Sequence, residues 1–217
     1  VNYTRKINHF ALFFVPMFLD NIFPIQPSIE SIILGSSLAV GGLLIYIKPI
    51  RNNSRIIERM FLSFDRPEDR PNTLLWLSTQ IIVGYIILIP FIIYFFAIGY
   101  TDLVLIPILV NGIGDGLAEP VGVRFGRLKY KTYALFTNKK YERTVEGSAC
   151  VFITCIIVII LFKSSFTSSE FISVLIIFPI VMTLAEAFAP HTWDTPFLFL
   201  FGFLTIFIVK TMPFVLN

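Results

Sequence analysis

From Thr73 to Gly99 the chain carries no charged side chain. A helix that crosses the hydrocarbon core of a bilayer needs about 20 mostly apolar residues, and its backbone polar groups must be satisfied within the segment. A run of this kind commits the chain to an α-helical membrane architecture. The composition agrees: 56% of residues are hydrophobic, 14% are charged and 24 of the 217 are phenylalanine, whereas about a quarter of a soluble domain is charged. Seven segments qualify or nearly qualify as spans, at about 7–23, 29–47, 73–99, 103–119, 148–163, 170–189 and 196–215. The expected fold is all-α: a polytopic bundle of about seven transmembrane helices, with residues 1–217 forming a single integral membrane domain. Pro90 should tilt or kink the third span. Cys150 and Cys155 lie in an apolar run at a spacing that suits neither a metal knuckle nor a disulfide.

The cations alternate along the chain. Arg5 and Lys6 precede the first span, and the next connection, Asp20 to Ser28, has no Lys or Arg. The second connection holds Lys48, Arg51, Arg55, Arg59, Arg66 and Arg70, and the third, Tyr100 to Asp102, holds none. The fourth holds Arg124, Arg127, Lys129, Lys131, Lys139, Lys140 and Arg143. By the positive-inside rule the N-terminus and the basic loops face the cytoplasm or its organellar equivalent. Arg51, Arg55 and Arg59, spaced four apart, suit an interfacial helix near anionic lipid. No nucleic-acid partner is expected.

Asn111 to Gly126, NGIGDGLAEPVGVRFG, interrupts this apolar pattern. A carboxylate deep in a membrane costs at least a few kcal/mol, and irregular backbone there survives only where it is buried in protein or lines a watery cavity. The fourth span is therefore expected to break at a functional site. Asp115 and Glu119 are four apart and share a helical face. Two such oxygen ligands suit Mg²⁺, which is usually held by one or two carboxylates plus substrate phosphates. A helix cap formed by Asp115 is the plainer alternative, and it leaves Glu119 unexplained.

Seven cations follow the carboxylate pair, and Arg143 and Glu146 are three apart, as on one helical face. Arg and Lys suit phosphate oxygens, and glycines allow close backbone approach. Cations for a polyphosphate beside carboxylates for its metal equip a chain for phosphoryl or nucleotidyl transfer. There is no G-x-x-x-x-G-K-[ST] loop. Arg5 and His9 are i,i+4 neighbours at the first span, where they could join such a site or serve as interfacial residues. Glu186, in an apolar helix ahead of His191 and Asp194, needs a cation or a metal as partner. Asp65, Arg66 and Arg70 belong to a turn and helix entry, either solvated or reaching the site.

Four places in the chain resemble the CTP-dependent polyprenol kinase family of phytol, dolichol and fungal-type diacylglycerol kinases, within a wider group that includes the phosphatidate cytidylyltransferases. Arg5-Lys6-Ile7-Asn8-His9 is similar to the family's Arg-Lys-x-x-His opening. Gly114-Asp115-Gly116-Leu117-Ala118-Glu119, with Gly122, Arg124 and Gly126, resembles its central glycine and carboxylate signature, Glu119 standing where Asp is usual. Arg143-Thr144-Val145-Glu146-Gly147-Ser148 resembles its Lys-Thr-x-Glu-Gly element, with Arg for Lys. Glu186 through Asp194 and Pro196 is similar to its Glu…Asp-Asn…Pro segment, with Thr195 where Asn is common.

The resemblance implies a membrane enzyme that transfers the γ-phosphoryl of CTP to an isoprenoid alcohol such as phytol, dolichol or another polyprenol. Asp115 and Glu119 would bind Mg²⁺, and Lys139, Lys140 and Arg143 would take the phosphates, with Arg124, Arg5 and Lys6 as further phosphate contacts. Asp115, Glu146 or His9 would serve as general base, and Glu146 would bind metal or orient the basic loop. A CTP:phosphatidate cytidylyltransferase shares this equipment. A transporter or lipid-binding protein with an anion site at a broken helix is the alternative from another class.

Overall fold

The computed structural model describes residues 3–22, 29–133 and 140–212. These are mainly helical and divide into two compact units, Asn2–Ile89 and Pro90–Asn217.

The first unit holds helices α1 (Tyr3–Ile22), α2 (Ile29–Gly42), α3 (Lys48–Arg51) and α4 (Arg55–Leu62), and the first part of α5 (Thr73–Ala97). Ser54 starts α4 by accepting a hydrogen bond from the Ile57 amide, the usual role of a serine N-cap. The buried Phe61 ring meets Tyr46 at 5.9 Å and turns one face of α4 inward. Asn8 on α1 donates to the Ser63 hydroxyl after α4. Asp65 accepts from Arg70 Nε at 2.7 Å and from Thr73 Oγ1 at the start of α5, while Arg66 pairs with Asp69 at 2.8 Å. The acidic and basic residues of this turn serve the helix entry.

The second unit takes the rest of α5, then α6 (Leu105–Leu109), a π-helical turn (Val110–Asp115) and α7 (Gly116–Phe125). An antiparallel hairpin follows, β1 (Lys129–Tyr133) paired with β2 (Lys140–Thr144), Lys129 facing Thr144 and Tyr133 facing Lys140. Helices α8 (Val145–Leu161), α9 (Ser168–Phe188) and α10 (Asp194–Thr211) complete the unit. α8 packs between α7 and α9, and α10 between α9 and α6. Phe178, Met182, Phe203, Ile106 and Val151 are fully buried among them. Phe91 of α5 stacks on Phe203 at 5.1 Å.

Helices occupy all seven apolar segments, but the count of spans is coarser than expected. Four stretches among the described residues are long and apolar enough to cross a membrane: Thr73–Ala97, Thr101–Phe125, Ser168–Phe188 and Asp194–Thr211. Val145–Leu161 is apolar but shorter. Only 11% of the most apolar window of α5 is buried, an outward apolar surface suited to lipid rather than water.

Two local expectations change. The fourth span does not break: it runs helically from Leu105 to Phe125 and widens into π register over Val110–Asp115. The basic connection adds strands to the all-α expectation, because its Lys-Tyr-Lys-Thr-Tyr and Lys-Tyr-Glu-Arg-Thr runs pair as a hairpin. Glycines mark where helices nearly touch. A Cβ on Gly147 would lie 2.7 Å from the Ala118 carbonyl oxygen, and one on Gly122 2.4 Å from the Thr144 hydroxyl. Small residues at such crossings let membrane helices pack closely. These glycines serve the contact of α7 with α8 and β2, a role other than the expected approach to phosphate.

Candidate functional site

Arg143 is the centre of the polar cluster in the second unit. It lies on extended β2 rather than on a helix, so it does not share a helical face with Glu146. Its side chain is 14% exposed. Nη1 donates to the Glu186 carboxylate and to the Glu186 backbone carbonyl. Nη2 donates to the Asp194 carboxylate and, at 3.2 Å, to the Ala189 carbonyl. Burial lowers the proton affinity of the guanidinium; the charges of Asp194, Glu186 and Asp115 outweigh this and raise it. The partner that Glu186 required is Arg143.

A second chain of contacts reaches Glu186 from the hairpin. Ser148, in the first turn of α8, donates to Glu186 Oε2 at 2.7 Å and lies 2.6 Å from the Tyr130 hydroxyl of β1. Burial, followed by the charge of Glu186, pushes the Tyr130 phenol above its ordinary pKa. Glu186 thus has an ionic partner on one oxygen and a hydroxyl donor on the other, which offset the cost of burying a carboxylate.

The loop from α9 to α10 is fitted to this cluster. Thr192 adopts φ 71°, in the left-handed region, where a β-branched residue is a clear outlier. The surroundings hold it there. The His191 amide donates to the Tyr133 carbonyl at 2.9 Å, and its ring stacks on Tyr141 at 3.5 Å with the planes 5° apart. Residues in such backbone regions cluster at functional sites. The π turn, also a frequent mark of functional sites, buries Asn111, whose Oδ1 accepts from Thr195 of α10 at 3.5 Å.

Asp115 ends the π turn with helical backbone angles, and its side chain makes no cap hydrogen bond, so the capping alternative fails. Its charge acts on Arg143. Glu119 follows one turn later and is half-buried. Among the described residues no three His, Cys, Asp or Glu side chains converge as a ready-made metal site.

Glu146 faces elsewhere. Its Oε1 accepts from the backbone amides of Arg127 and Leu128, at 2.8 and 3.3 Å, and thereby fixes the entry to the hairpin. Arg124 is exposed and lies over the adjacent Phe125 ring, about 13 Å along the helix axis from Asp115. Lys140 is exposed over the Tyr133 ring. Lys139 lies outside the described residues. Arg5, Lys6 and His9 are on α1 in the first unit, Lys6 buried and the His9 ring 5.0 Å from Phe13.

Sequence reasoning passed over Ser148 as a Glu186 partner and Tyr130 altogether. The alternation of Lys129-Tyr130-Lys131-Thr132-Tyr133 is a strand signal that places Tyr130 and Thr132 on one face, and Thr132 is buried.

Fold and site together define a helical protein with membrane-length apolar helices and a largely buried arginine paired with two carboxylates. Compared with known proteins, the chain matches no family, no curated protein and no solved structure at a significant level.

Proposed function

We propose that this chain is a multi-pass membrane enzyme that transfers the γ-phosphoryl group of CTP to the hydroxyl of a membrane-dissolved isoprenoid alcohol of the phytol or polyprenol type. The N-terminus and basic loops face the cytoplasm or its organellar equivalent, with about seven helices in the membrane. The observation that carries this reading is the meeting of Arg143, Glu186 and Asp194, with the charge of Asp115 acting on the same guanidinium. These residues come from three separate motifs of the resemblance, which have no reason to meet in a bilayer unless they serve one polar site.

Asp115 and Glu119 fit a hard divalent cation, being oxygen donors one helical turn apart that need substrate phosphates to complete the shell. Bound there, Mg²⁺ would neutralise charge on the triphosphate. Arg143 has the role of a positioning residue, since four acceptors already hold its guanidinium. The phosphate contacts expected of Arg143 pass to Lys140 and Arg124, exposed cations of the same unit. Glu146 orients the hairpin through Arg127 and Leu128. Asp115 accepts the proton of the alcohol as its oxygen bonds to the γ-phosphorus. The bond to the bridging β–γ oxygen breaks, and CDP leaves.

The test is turnover of CTP labelled at either the γ or the α phosphate. Purified protein, Mg²⁺ and a panel of phytol, farnesol, dolichol, diacylglycerol and phosphatidate are required. Label reaching an alcohol from the γ position supports the proposal. Transfer from the α position into lipid assigns the chain to the cytidylyltransferases instead. Turnover with no substrate favours a transporter or lipid-binding role.

A further inference from the structure

We infer that the surface formed by α3 and α4 is a docking site for the headgroups of anionic phospholipids. It rests on the membrane placement of the chain and is independent of the kinase reaction.

The segment lies between two apolar helices, α2 and α5, and with both helices entering the membrane it would lie at one membrane face. Within it, Phe61 packs inward against Tyr46 at 5.9 Å, and this fixes how α4 is rotated. Two adjacent rows of side chains are left outside. Ile56 and Met60, one turn apart, are 73% and 45% exposed. Arg55 and Arg59, also one turn apart, are exposed beside them. Arg51, at the end of α3, lies 4.0 Å over the Phe61 ring. Among the described residues Lys48, Arg55 and Arg59 have no carboxylate partner. Glu58, the acidic residue of α4, is exposed and leaves the cations in excess.

A helix with exposed large apolar residues beside a basic row lies in the interface, its apolar side at the acyl boundary and its cations among headgroups. Arginine forks match phosphate oxygens. An acidic soluble protein would satisfy the cations but leave Ile56 and Met60 without an apolar partner; a lipid surface supplies both.

The full chain in nonionic detergent is titrated with fluorescent phosphatidylglycerol and, separately, with fluorescent phosphatidylcholine. Phosphatidylglycerol should bind more tightly. Arg55→Gln and Arg59→Gln should each weaken it about fivefold, the effect of one cation near an anionic surface. The double Arg55→Lys, Arg59→Lys variant should retain most of the binding. All these side chains are exposed, and gel filtration and far-UV circular dichroism of the variants should match the parent. Equal affinity for the two lipids, unchanged phosphatidylglycerol binding in the double Gln variant, or displacement by inorganic phosphate at the same concentration would each overturn the inference.

Discussion

Arg143 holds Glu186 twice, by its carboxylate and by its backbone carbonyl, across 43 positions of sequence. The strand that carries Arg143 is thereby tied to the last turn of α9, and Asp194 at the start of α10 takes the other side of the same guanidinium. Removing the cation leaves the buried Glu186 and the half-buried Asp194 without their shared partner. Arg143→Met should therefore destabilise the protein by about 3–5 kcal/mol, seen as a lower midpoint of thermal unfolding in detergent. Arg143→Lys should recover only part of this, because a point charge cannot fork between two carboxylates. A midpoint unchanged in Arg143→Met would show that the cluster does not hold the fold.

Asp115→Asn should separate chemistry from folding. Asparagine matches the carboxylate in size and still offers a hydrogen-bonding oxygen, so helix content and detergent elution should be unchanged. CTP-dependent lipid labelling should fall by about 100-fold or more, the scale of losing a charged group from a phosphoryl-transfer site. Retained turnover removes Asp115 from the reacting groups.

Gly147→Ala should force α7 and α8 apart, because the new methyl meets a backbone oxygen 2.7 Å away. Overpacking of this kind costs about 1–3 kcal/mol. Gly41→Ala is the control: nothing lies within 4 Å of its added methyl, and loss of a helical glycine should be neutral or stabilising by up to about 1 kcal/mol. Equal thermal midpoints for the two variants would contradict the close crossing.

Tyr130 gives a dependence on alkaline pH. Its folded pKa lies above the unfolded value, so its contribution is complete below the ordinary tyrosine range and is lost as pH rises through the higher folded value. Wild-type stability should fall more steeply than that of Tyr130→Phe above about pH 10. Below that range Tyr130→Phe should be less stable by about 1 kcal/mol, for the hydrogen bond to Ser148. Parallel pH profiles would remove Tyr130 from the cluster.

Lys210→Met should loosen the other end of the second unit. Lys210 is 5% exposed, pairs with Glu170 at 2.9 Å, donates to the Ser165 carbonyl and lies 4.3 Å over the Tyr100 ring. A loss of about 1–2 kcal/mol is expected, because Glu170 is partly exposed and screened, read from thermal unfolding, with CTP turnover at low temperature unaffected.

The helices were legible because twenty or so apolar residues have few other outcomes. Asp115 stood out because charge is rare in such a run, and Glu186 for the same reason. Their partners were not legible, since which cation reaches Glu186 depends on a hairpin that brings β2 beside α9. The cations of that hairpin obscured its alternating pattern. Glu146 was read through its spacing from Arg143, but a change from strand to helix between them points the two side chains apart. The glycines were legible as close approaches, though not as approaches of helix to helix.

Val110–Asp115 holds one residue more per turn than the helices on either side of it. Each residue of an α-helix advances the chain by about 100°. Six residues in π register turn the chain about as far as five in α register, so shortening this stretch by one residue would give α7 an unbroken α-helical lead-in with Asp115 and Glu119 still facing the same way. The extra residue is thus absorbed within the turn itself, and its removal would close the local widening around the buried Asn111 while leaving the aim of both carboxylates unchanged.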